Sequence, residues 1–313
     1  MYAIGIDVGG MSIKAGLIDG NGKIVSQNRV KTAKTAKECI DNMVGQINTL
    51  LSENDLTIKD LQGIGIGCPG LVTGETGVVE NAENLGWVKV PVVDELKKSF
   101  DTVIKLSNDA NVAALGESVY GCAKDYDSSV MFTLGTGIGG GVIIDNKLFE
   151  GNESKGTEVG HTTLILDGEP CTCGRKGCIE AYASATALIR QTRAEMLLNK
   201  DSSMWEFVDG DIEKVDGRTA FECAKQGDSS AIKVRDTYIK YLGESMLNFF
   251  NIFRPKAFIL GGGVSAQGQH LVDLLTEYCE KKFWGFVGAP KVRILIATLG
   301  NDAGIIGAAN LVF

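Results

Sequence analysis

Short runs of β-branched and apolar residues alternate with longer stretches of helical spacing from one end of the chain to the other. A period of two marks a strand and a period of 3.6 a helix. On that basis residues 3–8, 14–18 and 23–30 are predicted as three short strands joined by glycine turns. Residues 36–51 follow as a helix, 63–67 and 103–106 as strands, and 109–120 as a second helix. The opening then recurs. Residues 131–134, a Gly-Thr-Gly loop, 141–144 and 147–149 repeat its strand-loop-strand-turn-strand order, and Asp145-Asn146-Lys147 answers Asp19-Gly20-Asn21-Gly22-Lys23. A long amphipathic helix (234–253), a strand (257–260), a helix (271–283), a strand (292–296) and a closing helix (302–311) complete the chain. Alternating elements with no low-complexity linker predict an α/β protein of two related lobes around a cleft. The small N-terminal lobe takes residues 1–117 and 299–313, and the large lobe residues 118–298.

A length of 313 residues suits two domains of about 150 each. The 31 basic and 39 acidic side chains leave a net charge of −8, which argues against nucleic acid or an anionic membrane as the main partner. Glycine changes the picture more. Its 40 residues are about 13% of the chain where about 7% is usual, and there is no G-X-Y period, so the backbone must approach something closely. The start, Met1-Tyr2-Ala3-Ile4-Gly5-Ile6-Asp7, lacks a basic region and reads as a strand, not a signal peptide. Residues 128–144, the longest uncharged stretch, are too glycine-rich for a membrane span. Eight cysteines in such a chain point to thiols or metal ligands and to the cytoplasm.

Three glycine loops carry candidate chemistry. Asp7-Val8-Gly9-Gly10-Met11-Ser12-Ile13-Lys14 lies between two predicted strands, and Leu134-Gly135-Thr136-Gly137-Ile138-Gly139-Gly140-Gly141 repeats it in the second copy. Without Cβ atoms, backbone N–H groups can converge on an anion. Leu260-Gly261-Gly262-Gly263-Val264-Ser265 follows a strand and could pass a flat ring. One such loop is as well explained by a tight hairpin; three, two of them in matching positions, favour nucleotide phosphates. Gly135-x-Gly137-x-x-Gly140 and Gly65-x-Gly67-x-x-Gly70 match the dinucleotide pattern literally, but neither is followed by a predicted helix. No P-loop motif exists.

His161, Cys171, Cys173 and Cys178 offer a Cys₃His set for tetrahedral zinc, with every ligand from protein and thus no open position for chemistry. The other cysteines (Cys39, Cys68, Cys122, Cys223 and Cys279) stand singly, as packing residues do. Asn108-Asp109 closes a strand and opens a helix, where Asp109 serves equally well as an N-cap or as a functional carboxylate. Zinc at the knuckle would hold Glu158 and Glu180 near one another, and such carboxylates suit a polyhydroxylated ligand.

With these residues assembled, the chain resembles the ROK family of sugar kinases and sugar-responsive repressors, within the actin/hexokinase/Hsp70 superfamily, over essentially its whole length. The most specific stretch is Glu158-Val159-Gly160-His161 with Cys171-x-Cys173-Gly174-Arg175-x-Gly177-Cys178-x-Glu180-x-Tyr182-x-Ser184. Asp7-x-Gly9-Gly10, Gly67-x-Pro69-Gly70-x-Val72, Asn84-Leu85-Gly86-Trp87, Asn108-Asp109-Ala110-Asn111 and Gly135-Thr136-Gly137-x-Gly139 fall in order.

The resemblance implies duplicated ribonuclease-H-like lobes and transfer of a phosphoryl group from ATP to the 6-hydroxyl of a hexose. Its bacterial glucose-phosphorylating branch is the most similar; N-acetylmannosamine, mannose, fructose or allose are the alternative sugars, and polyphosphate an alternative donor. By that resemblance Asp109 accepts the hydroxyl proton, and Asn108, Glu158, His161, Glu180, Gly70 and Asn84 surround the sugar. Asp7 positions Mg²⁺, while Gly9, Gly10, Met11, Ser12, Gly135, Thr136, Gly137, Gly139, Gly262 and Gly263 surround ATP. His161, Cys171, Cys173 and Cys178 hold structural Zn²⁺, and the protein is a homodimer or homotetramer of sugar metabolism. An ordinary carboxylate pKa of about 3.9 would keep Asp109 ionised. Two positions depart from the family pattern: Met11 stands where Thr is usual, and Thr157 where many relatives have Gly. Family repressors carry a DNA-binding domain before the first glycine loop, and Asp7 leaves no room for one. An enzyme is therefore expected.

Overall fold

The computed structural model describes residues 1–282 and 291–313. The chain opens with β1 (Tyr2–Val8), β2 (Ser12–Asp19), β3 (Ile24–Lys31), α1 (Ala36–Glu53), β4 (Leu61–Cys68), β5 (Leu71–Thr73), β6 (Val78–Ala82) and β7 (Trp87–Val90). Then come α2 (Val92–Lys97), β8 (Ile104–Asn108), α3 (Asp109–Val119), β9 (Ser129–Leu134), β10 (Ile138–Ile144) and β11 (Lys147–Phe149). The rest is α4 (Glu180–Ala183), α5 (Ala185–Leu198), α6 (Met204–Phe207), α7 (Thr219–Lys225), α8 (Ser229–Phe253), β12 (Ala257–Gly261), α9 (Gln269–Lys282), β13 (Ile294–Ile296) and α10 (Ala303–Asn310). The final residue of the helix predicted over 271–283 lies outside the described residues.

Two compact units result. The first comprises Met1–Ser128, Gly141–Thr157 and Thr298–Phe313, and the second Ser129–Gly140 and Glu158–Ala297. Residues 118–128, 141–157 and Thr298, predicted with the large lobe, thus group with the first unit. The reason is packing: β11 lies beside α3, and Glu117 of α3 accepts from the Cys122 amide at 3.0 Å and the Leu299 amide at 2.7 Å.

The sheet of the first unit runs β3-β2-β1-β4-β8. β1, β2 and β3 form an antiparallel meander, and β4 and β8 run parallel to β1. Alternation along β1 decides what covers each face. Ile4 and Ile6 join Ile13, Leu17, Ile64 and Ile66 against Cys39, Met43, Ile47 and Leu50 of α1. On the opposite face α10 lies against backbone: a Cβ at Gly5 would run into the Ile305 carbonyl, and one at Gly65 into that of Ala308. Part of the glycine surplus is spent there, on a close helix–sheet approach. A second, antiparallel sheet β5-β6-β7 follows β4. It lies in a stretch for which the sequence predicts no element, with Gly74–Gly77 as the bend between β5 and β6.

In the second unit β12 pairs in parallel with β9 and β13. Those three strands match β1, β4 and β8, and the antiparallel hairpin of β10 and β11, paired over residues 142–149 of the first unit, matches β2 and β3. The 25-residue α8 packs against α4, α5, α7 and α9. Its Tyr238, fully buried, donates to the Ala183 carbonyl at 2.9 Å, and Phe249 meets Phe132 edge-on at 5.5 Å. No described helix is long and apolar enough to cross a membrane.

Candidate active site

In the first unit, β8 ends at Asn108 and α3 begins at Asp109, as the sequence predicts. Asn108, not Asp109, caps the helix: its Oδ1 accepts from the amides of Ala110 (2.8 Å) and Asn111 (3.4 Å). Its Nδ2 donates to the Gly70 carbonyl at 3.1 Å, which fixes the carboxamide at both ends. Gly70 can occupy this spot because its φ is +88° and a Cβ would run into the Asn81 carbonyl. The Asp109 carboxylate accepts from backbone alone, its Oδ1 from the Ala110 amide at 2.8 Å and the group also from its own amide. Burial pushes its pKa above the ordinary value. That corrects the expectation of an unperturbed carboxylate: desolvation disfavours the charged form.

Asp7 sits two strands away, since β4 separates β1 from β8. Its pKa is also raised, by burial first and then by the charge of Asp109; Lys14 and Arg29 act in the opposite sense. Those cations lie in register beside it, Asp7 opposite Lys14 and Lys14 opposite Arg29. The two carboxylates therefore share one electrostatic environment, and a cation there would relieve both.

The first glycine loop leaves β1 directly after Asp7. Its Gly9 amide donates to the Ser12 carbonyl at 3.0 Å, and Thr32 binds the Gly9 and Met11 carbonyls. Met11 is 83% exposed, so it offers the loop a backbone and no polar side chain. The Ser12 hydroxyl accepts from Arg29 Nε at 2.8 Å. Asn84, exposed in a 3₁₀ turn, faces Gly10.

In the second unit, the other two glycine loops come together. Gly262, at φ +81°, has no room for a Cβ because the Leu134 backbone lies against it, whereas Gly263 faces open space. The loop over 135–139 is pinned on several sides. The Gly139 amide donates to Thr133 Oγ1 at 3.1 Å, the Ala185 amide to the Gly135 carbonyl at 2.8 Å, and the Thr186 hydroxyl to the Thr136 carbonyl at 2.8 Å. The Ile138 amide donates to Glu180 Oε2 at 2.9 Å. β10, not a helix, follows this loop, and β4 runs past Gly67 into a turn; both dinucleotide-like patterns are incidental.

His161, Cys171, Cys173 and Cys178 converge, with all four ligand atoms within 4.8 Å of one another. They could hold a metal ion. His161 presents Nδ1, 3.5 Å from Cys171 Sγ, and Cys173 Sγ is 3.7 Å from Cys178 Sγ. The knuckle is built by a turn in which the Cys171 amide donates to the Arg175 carbonyl, with Gly174 and Gly177 at positive φ. Arg175 locks it by donating to the His161 carbonyl at 3.0 Å and Thr163 Oγ1 at 2.9 Å. Burial, then the neighbouring thiols, pushes the Cys178 thiol up to about 12. The remaining cysteines are free, and all but the half-buried Cys122 are fully buried, as packing residues should be.

Glu158 and His161 flank a 3₁₀ turn, Val159–His161, in which the His161 amide donates to the Glu158 carbonyl at 3.1 Å. Glu180 is tied to the knuckle itself: its Oε1 accepts from Thr172 Oγ1 at 2.9 Å and lies 3.5 Å from Cys171 Sγ. One carboxylate thus bridges the knuckle and the second glycine loop, a connection the sequence does not disclose. The sequence does not disclose the contacts of Arg175, Thr172 and Thr133 either, for each is made through an ordinary polar side chain.

A two-unit α/β chain with this knuckle, an acid-bearing strand–helix junction and paired glycine loops is a sugar kinase of the actin/hexokinase-type fold. The chain belongs to the ROK family, whose model, described as "ROK family", matches residues 3–313. It is 36% identical to a glucokinase of Thermotoga maritima over 99% of this chain and 96% of that one. A glucokinase of Halalkalibacterium halodurans is 35% identical over 99% of this chain and 94% of its own length. Among solved structures, a ROK family glucokinase from Streptomyces griseus in complex with glucose and AMPPNP superposes with a TM-score of 0.81 at 33% identity, covering 99% of both chains.

Proposed function

We propose that this chain is an ATP-dependent hexokinase that phosphorylates the 6-hydroxyl of glucose, with Asp109 as the base. The observation that carries the proposal is the division of labour at the strand–helix junction. Asn108 does the capping, so Asp109 is left with backbone partners only and a pKa raised by burial. A base works best when its pKa approaches the operating pH, and burial moves Asp109 in that direction. Asp109 takes the proton as the sugar oxygen bonds to the γ-phosphorus and the bond to the ADP oxygen breaks. Phosphoryl transfer otherwise asks mainly for alignment and charge neutralisation. The amides of the glycine loops and Lys14 supply part of that. Mg²⁺ entering with ATP would be positioned by Asp7, whose repulsion with Asp109 it would relieve.

On the sugar side, Asn108, Glu158, Glu180 and His161 supply amide, carboxylate and imidazole partners for hydroxyls. His161 Nδ1 is turned into the knuckle, and with a metal bound there Nε2 would carry the proton and could donate to the sugar. Tetrahedral zinc with bonds of about 2.3 Å to sulfur and about 2.0 Å to nitrogen sets S···S at ~3.8 Å and S···N at ~3.5 Å. The observed 3.7 and 3.5 Å fit that ion. Bound there, zinc would keep the thiols deprotonated and fix His161 and the segment leading to Glu180. The eight free thiols suit a reducing compartment, the cytoplasm.

A coupled assay of the purified protein over a panel of hexoses tests the proposal. Glucose should give the highest kcat/KM. A higher value for N-acetylmannosamine, mannose, fructose or allose would replace the substrate while leaving the chemistry, and turnover on none would end the reading.

A further inference from the structure

Glu150 belongs to no motif, yet its carboxylate gathers three side chains of the first unit. Oε1 accepts from the Ser107 hydroxyl at 2.5 Å, and the carboxylate also bonds the side chains of Ser154 and Asn111. The Asn111 carboxamide places its Oδ1 3.2 Å from Thr157 Oγ1, whose proton it shares with the Gly156 carbonyl at 2.7 Å, and its NH₂ is left to face Glu150. Ser107 is 1% and Asn111 2% exposed, so both donors depend on this partner. The three anchors are not scattered. Ser107 directly precedes Asn108 on β8, Asn111 stands in the first turn of α3 just after Asp109, and Ser154 lies in the segment that leads to Glu158. Glu150 is half-buried with only the charge of Lys105 in its favour, and such a carboxylate is costly unless several donors satisfy it.

We propose that Glu150 is a positioning residue that clamps Ser107 and Asn111 on either side of Asn108-Asp109, and so sets how tightly the sugar is held. The proposal rests on the hexokinase reading of the site. Three donors explain why the position takes a carboxylate: a glutamine would turn an NH₂ toward at least one of them and lose that bond. Asn108 and Asp109 would then drift, and small displacements of a positioned group have large effects on what it holds.

The test is Glu150→Gln in the full-length protein, with glucose and AMPPNP affinities measured by calorimetry and amide exchange followed at Ala110 and Asn111. We expect the glucose Kd to rise about tenfold, the AMPPNP Kd to stay within about twofold, and both amides to exchange several-fold faster. Loosened folding in general would move both ligand constants together, and that outcome, or an unchanged glucose Kd, overturns the proposal. Should Glu150→Gln fail to fold, Ser107→Ala removes a single donor and should give the same pattern at about threefold; an unchanged glucose Kd there overturns it equally. A wild-type protein that binds no hexose contradicts the hexokinase reading instead. In that case the exchange data still decide the clamp, faster exchange at Ala110 and Asn111 supporting it and unchanged exchange refuting it.

Discussion

Asp109 shows what a functional position costs its own fold. Its pKa is raised by burial, so ionising it at neutral pH works against the folded state. The sign follows from linkage: a carboxyl with a raised folded pKa contributes stability that is complete below its unfolded value and lost as pH rises through the folded one. Asp109→Asn should therefore melt at a higher temperature than wild type at pH 7, with the difference shrinking as pH falls toward the ordinary aspartate range; calorimetric melts across pH would show it. The same variant should lose about 10²-fold or more in kcat with sugar binding largely kept. In the wild type, kcat should fall as pH drops through the raised pKa. Thr157 is a second exposed cost. It holds φ at +61°, a region β-branched residues avoid, while its hydroxyl donates between the Gly156 carbonyl and Asn111 Oδ1. Glycine there loses that bond but sheds the strain, whereas valine loses the bond and keeps it. Thr157→Gly should change stability by less than about 1 kcal/mol and Thr157→Val should cost about 1–2 kcal/mol, the reverse of the order expected at negative φ. The residue pattern disclosed Asn108 and Asp109 as a pair but not which of them caps, because both are good caps.

At the level of elements, the knuckle and the second glycine loop act as one assembly through Glu180. A Cβ at Gly137 would run into the Glu180 carboxylate, which is held by Ile138 and Thr172 and cannot simply swing aside. Gly137→Ala should leave the fold intact and weaken AMPPNP binding about fivefold or more; unchanged binding in calorimetry would remove this loop from the nucleotide site. Cys173→Ser, or stripping with a strong chelator, should lower the melting temperature by about 5 °C or more and weaken glucose binding in parallel. Metal analysis should find one zinc per chain in the wild type. The sequence disclosed the ligands of this assembly through spacing and the strands through alternation: β3 alternates cleanly between half-buried and exposed positions. It disclosed less where packing overrides pattern. β5 is three residues long, too short to establish a period. α8 begins at Ser229, five residues ahead of its apolar stripe, on the strength of Asp228, whose side chain caps the Ala231 amide at 2.8 Å.

For the whole molecule, the internal repeat read from the two glycine loops returns as two series of strand pairings, β1-β4-β8 and β9-β12-β13 parallel, each accompanied by an antiparallel hairpin. Boundaries are the hardest feature to read, because the chain leaves the first unit after Ser128 and Thr157 and re-enters it at Gly141 and Thr298 with no change of composition. The net charge of −8 and membership of a family that includes sugar kinases lead to the same expectation: a metabolic enzyme acting on a neutral sugar. The most direct test is to identify by NMR the product formed from glucose and ATP, by the wild type and by Asp109→Asn side by side. Glucose 6-phosphate from the wild type, equimolar with ADP and almost absent from the variant, is the expected result. Phosphate on any other hydroxyl, or near-native product from Asp109→Asn, would contradict the account.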